Sequence, residues 1–194
     1  MVRVTILSRP TPVIPDPTPA GLELTFDDIA NVPVADASSV GDWNTFFDLP
    51  TNGSPFTSVV VDGDVVTLVG GSMSLSDNIF QNNTHLLKII DTNSIQYDGV
   101  YTFSGCTSLS EVVLPVINNI GRYSFQNCNS IIAIQIPICT ILGDDEDVNS
   151  VFYNISGQSI LLTVSSYLMT IFGGNPDGDI QYLQANNTVT IVTV

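Results

Sequence analysis

The chain has 194 residues, of which 44% are hydrophobic and 12% charged, enough apolar material for a buried core and a single domain with an appendage. Four basic residues stand against nineteen acidic ones, a formal net charge of −15, which repels phosphate backbones and anionic bilayers and excludes nucleic acid as an expected partner. The longest apolar runs, such as IIAIQIPICTIL from Ile131, are broken before the ~18–20 residues that a membrane helix needs, so membrane insertion is not expected either.

The start, MVRVTILSRPTPV, has an apolar stretch too short for a signal peptide, and export by the usual route is not expected from it. Residues 9–19 then hold five of the eleven prolines: Pro10, Pro12, Pro15, Pro17 and Pro19, with Arg9 ahead of them. Each proline fixes its own φ and biases the residue before it toward extended geometry. Residues 1–20 therefore read as an extended docking arm, whose part from 9 to 20 reaches about 37 Å at ~3.1 Å per residue.

Residues 21–74 read as an N-terminal cap. In SSVGDWNTFFDLP a serine precedes Val40, Trp43, Phe46 and Phe47 at helical spacing, which predicts one short capped helix. Together with Phe56, these aromatic residues suit a plug over the open end of a repeat core. FTSVVVDGDVVTLVG, from Phe56, places two β-branched runs around Asp62 and Gly63, a hairpin signal, expected to form the first rung of a sheet.

From Phe80 one phrase recurs: FQNNTHLLKIIDTNSIQYDG, FSGCTSLSEVVLPVINNIG from Phe103, FQNCNSIIAIQIPICTILG from Phe125, and a shorter FYNISGQSILLTV from Phe152. A period in the low twenties is that of a leucine-rich-repeat solenoid, here of about four laps over residues 75–165. Alternation turns Leu109, Val112 and Leu114 inward, matched by Ile131, Ile134 and Ile136. These are short parallel strands that end near Pro115 and Pro137, at margins where no ladder donor is required. Phenylalanine should stack on phenylalanine from lap to lap, and Gly99, Gly121 and Gly143 should make tight corners. Cys106 and Cys128, three residues after a repeat phenylalanine, read with Cys139 as buried free thiols; a bridge between Cys106 and Cys128 is the alternative. After the fourth phrase, residues 166–194 form a C-terminal cap, in which GGNPDGD reads as a turn and NTVTIVTV from Asn187 as a terminal strand. The fold class is mainly β.

The phenylalanine, cysteine, leucine, isoleucine-proline and glycine positions of FSGCTSLSEVVLPVINNIG and FQNCNSIIAIQIPICTILG resemble the BspA-like leucine-rich repeats of bacterial surface proteins and phage or viral proteins. The resemblance departs in the first and last phrases, which lack the cysteine, and at the acidic insertion before Phe152. It implies a noncatalytic binding or adhesion module.

No nucleophile elbow, phosphate-binding loop or zinc-protease motif occurs, so no catalytic residue is expected. Asp145, Asp147 and Asn149 set oxygen donors at alternate positions, as the first half of a calcium loop does, but Ser150 and Ser156 replace its glycine and its bidentate glutamate. A solvated acidic loop is expected there, with calcium the one candidate cofactor. His85, aligned with Ser108 and Ser130, reads as a surface-turn residue. The outward side of the short sheet presents Lys88, Ile90, Glu111, Val113, Ala133, Gln135, Leu161 and Thr163, the expected binding face for a host surface glycan or protein. With the arm, this implies a noncatalytic phage virion subunit (fibre, decoration or host-recognition protein), homo-oligomeric and joined to other virion proteins through residues 1–20. The alternative is a bacterial cell-surface adhesin or a soluble protein-binding module.

Overall fold

The computed structural model describes residues 21–49, 51, 53–92, 96–97, 99–143, 151–171 and 173–194. The expected arm with Arg9, Pro10, Pro12, Pro15, Pro17 and Pro19, and the acidic loop with Asp145, Asp147 and Asn149, lie outside the described residues.

The repeat phrases supply parallel strands. β4 (Leu86–Asp91), β5 (Glu111–Val113), β7 (Ala133–Ile136) and β9 (Ser159–Val164) pair side by side in chain order, with Ile89, Val112, Ile134 and Leu162 aligned across them and buried. A smaller parallel pair, β6 (Asn119–Ile120) and β8 (Ile141–Leu142), follows β5 and β7. The rings of Phe80, Phe103, Phe125 and Phe152 stack in succession at 5.3, 5.4 and 6.0 Å, within 11° of parallel. Such ring pairs add about 0.5–1.5 kcal/mol each beyond the burial of their area.

Each repeat turns at a left-handed residue two places after its phenylalanine: Asn82 (φ 60°), Gly105 (φ 77°), Asn127 (φ 60°) and Asn154 (φ 62°). Asparagine and glycine tolerate that region best. In the first three the turn aims the backbone N–H at the following repeat, so that Asn82 donates to the Ser104 carbonyl at 2.7 Å, Gly105 to Gln126 at 2.7 Å and Asn127 to Tyr153 at 3.0 Å. The side chain of Asn82 occupies the space that a Cβ at Gly105 would need. At Gly99 a Cβ would run into the carbonyl oxygens of Leu75 and Ser76. Close approach of neighbouring backbones is what calls for glycine at this position.

Ser39 caps α1 (Val40–Phe46) by accepting from the Asp42 N–H at 3.1 Å. Trp43 is fully buried, and Phe46 and Phe47 pack on Phe80 at 5.5 and 5.9 Å. β2 (Gly53–Asp62) and β3 (Val65–Met73) form the hairpin, with Gly63 at φ 58° in its turn. It is not the first rung. A strand not anticipated from the sequence, β1 (Gly21–Phe26), lies between β3 and β4 and is antiparallel to both. Leu22, Leu24 and Phe26 give it a complete inner face, buried to 1% exposure or less, so it takes a central position. β2 buries only Phe56 fully and carries Pro55, and proline is tolerated at a sheet edge.

The C-terminal strand forms as expected, but a helix not anticipated from the sequence precedes it. After Asp177, whose carboxylate accepts the Asp179 N–H at 2.9 Å, the chain forms a helix, α2 (Gly178–Asn186), that buries Ile180 and Leu183. β10 (Thr188–Thr193) then pairs in parallel with β9. The sheet has eight strands, in the order β10-β9-β7-β5-β4-β1-β3-β2.

Candidate functional site

Two rows of outward side chains cross the parallel strands in register. One row runs Lys88, Glu111, Ala133, Leu161 and on to Thr190; the other runs Ile90, Val113, Gln135, Thr163 and on to Val192. The eight face residues expected from the sequence thus come together on one surface. The ladder also extends beyond them, through Thr25 and Glu23 of β1 on one side and β10 on the other.

The face is graded. Over β4, β5 and β7 its side chains are half-buried, and Lys88 Nζ meets Glu111 Oε2 at 2.9 Å. A pair this exposed adds at most about 1 kcal/mol and largely neutralises the two charges locally. Toward β10 the face becomes uncharged and open, with Leu161 at 44% exposure and Val192 at 42% beside Thr163 and Thr190. A surface of threonine, glutamine, alanine and aliphatic side chains can bind through shape, van der Waals contact and hydrogen bonds.

A second feature lies on the phenylalanine side and was missed from the sequence. Tyr101 and Tyr123, two residues before repeat phenylalanines, have φ of 59° and 57°, rare for bulky side chains. Their rings stack at 4.9 Å, and the Arg122 guanidinium lies 5.5 Å from the Tyr123 ring centre. The spacing in YTF and YSF was the available signal.

The remaining candidates have local partners. His85 sits on an exposed bend, where Nδ1 meets Asp27 Oδ2 at 3.0 Å. Hydrogen bonds from Asn31 and then His85 hold the Asp27 carboxyl below its ordinary value. All three cysteines are free and buried. The Cys106 thiol donates to the Phe80 carbonyl and the Cys128 thiol to the Phe103 carbonyl, each at 3.1 Å, so cysteine at this position ties one repeat to the one before it. Burial pushes the Cys106 and Cys139 thiols up to about 12 and raises Cys128 as well. Thiols held protonated are poor nucleophiles. Among the described residues, no group of three or more His, Cys, Asp or Glu side chains is placed to hold a metal ion.

Residues 65–156 match the BspA type leucine rich repeat region, in six copies. These residues are similar to repeats of this type, and the similarity begins in β3, ahead of the first phenylalanine phrase. No curated protein and no solved structure matches the chain.

Proposed function

We propose that this chain is a noncatalytic binding protein whose BspA type repeats form a short solenoid of about four laps and engage a partner through the sheet face. The observation that carries this reading is the register of Lys88, Glu111, Ala133 and Leu161 beside Ile90, Val113, Gln135 and Thr163, which builds one continuous, weakly charged surface on rigid parallel strands. Repeat proteins use extended surfaces of this kind for recognition. The partner is a glycan or protein of a bacterial surface, and the protein works without a cofactor. The setting is a phage virion, to which residues 1–20 tether the module. The proline-rich sequence ahead of β1 supports this, since such a spacer holds a module away from its anchor.

A cell-surface adhesin is the second reading, and the repeat type itself favours it. Two experiments separate these possibilities. Binding of the labelled full chain to intact bacterial cells should fall at least tenfold in Val113→Asp and Leu161→Asp, with melting temperatures little changed; undiminished binding would refute the face. Particles purified from a strain lacking residues 1–19 should have lost the protein while the truncated chain stays folded. Retention in the particle would refute the tether, and isolation of the native protein from a cell envelope would select the adhesin.

A further inference from the structure

The eight-stranded sheet has two open edges, and they are protected unequally. β2 carries Pro55, a register shift between Phe56 and Ser58, and the terminal Asp62. Prolines, bulges and charges are the usual devices that stop an edge from recruiting another strand. β10, TVTIVT, has none of them, and among the described residues it pairs only with β9. Thr188 donates to Gln158, while Val194 donates to Val164 and accepts from Ser166. The even-numbered residues therefore face β9, and alternation turns the backbone N–H and C=O groups of Val189, Ile191 and Thr193 toward the open side. Beside this edge stand the exposed apolar side chains of Leu161, Val192 and Val194.

We propose that this edge accepts residues 2–8 of a second copy of the chain as an added strand, an inference that rests on the docking-arm reading. The segment VRVTILS has no proline, and four of its seven residues are β-branched, a composition suited to strand pairing. Charge favours it over direct pairing of two β10 edges. Residues 1–9 hold two of the four basic residues and none of the nineteen acidic ones, so a segment of charge +2 is attached to a remainder of −17. Two such remainders repel, whereas each attracts the other's basic segment.

The spacer favours a second copy over the same molecule. Gly21 begins a strand flanked on both sides by β3 and β4. The molecule's own β10 lies five strand spacings to the side, roughly 24 Å at ~4.8 Å each, so it is the stiffness of the spacer, and not its reach, that discriminates. A spacer stiffened by five prolines favours projection over turning back. Each copy then donates one strand and accepts one, which gives a head-to-tail ring or chain. The contact is strand addition, in which main-chain hydrogen bonds supply the attraction and alternate side chains the selectivity.

Light-scattering mass of the purified full chain tests this. The full chain should exceed the mass of one copy, and deletion of residues 1–8 should reduce it to one copy. Thr193→Pro, which removes an outward N–H while leaving the ladder to β9 in place, should do the same with an unchanged circular dichroism spectrum. Thr193→Ala, which keeps that N–H, should assemble as the parent does. A full chain with the mass of one copy overturns the inference. If Thr193→Pro assembles and the deletion does not, the arm docks elsewhere, and only the strand pairing is refuted. If the deletion assembles normally, arm docking between copies fails as well.

Discussion

At the first repeat, the Phe80 ring meets other aromatic rings, Phe46 at 5.5 Å and Phe47 at 5.9 Å, backed by buried Trp43. At the last repeat, backbone N–H groups meet side-chain oxygens: Val151 donates to Asp179 Oδ1 at 2.8 Å and Asn154 to the Tyr182 hydroxyl at 2.9 Å. The hydrogen-bond polarity of the stack explains the contrast. On the phenylalanine side the backbone N–H groups donate forward, Phe80 to Thr102, Phe103 to Ser124 and Phe125 to Val151. In the same register the last repeat is left with the Asn154 N–H as a forward donor, beside the buried N–H of Val151. Orphaned buried N–H groups are rarer than under-satisfied carbonyls, so the C-terminal end requires acceptors in defined places while the N-terminal end can be closed by apolar rings. Helix α2 acts as a substitute for a further repeat, and α1 as a plug.

That contrast can be broken experimentally at either end. The largest effect is expected from Trp43→Ala, about 3–5 kcal/mol of unfolding free energy by urea titration, because a large buried ring is lost. A cost below about 1 kcal/mol would show that α1 does not close the core. Asp179→Ala should cost about 1–3 kcal/mol, the penalty for a buried donor left without its acceptor, and amide exchange at Val151 should accelerate well before global unfolding. Asp179→Asn, which keeps an acceptor oxygen, should recover part of that loss.

Tyr182→Phe removes only a hydroxyl from an exposed turn, and about 0.5–1.5 kcal/mol is expected, seen as a small drop in melting temperature. The smallest effect belongs to the N-terminal end, where Asp27 meets Asn31 and His85. The Asp27 carboxyl is lowered from 3.8. Its contribution is therefore present above pH 3.8 and is lost as pH falls through the lower folded value. A comparison of Asp27→Asn with the parent in an acid titration should show melting curves that differ near neutrality and converge below that pH; a difference that persists at the lowest pH would place the contribution outside the carboxylate.

The phenylalanine period, the inward alternation of Val112 and Ile134, the Ser39 cap and the Gly63 turn were all legible, because each is a local pattern with a local cause. The left-handed residues at Asn82, Gly105, Asn127 and Asn154 were equally present as an asparagine or glycine two places after each phenylalanine. Their signal was easily overlooked, since their purpose, to aim an N–H at the next repeat, is visible only when that repeat is in place. Alternation placed eight residues on the outward side of the sheet, but it could not show how far the ladder extends or where exposure rises.

The sequence by itself determined the repeat, its spacing, and which side chains of each strand are buried, since these follow from period-two alternation and a recurring phrase. Only the tertiary structure decided the neighbours at its ends. GLELTF alternates clearly enough to be a strand, but its place between hairpin and first repeat depends on residues of β3 and β4, far along the chain. The helix after Asp177 likewise matters for two oxygens that reach the donors left by the last repeat. Pairing partners of this kind are non-local, because they are set by which backbone groups remain unsatisfied once the rest of the sheet has formed.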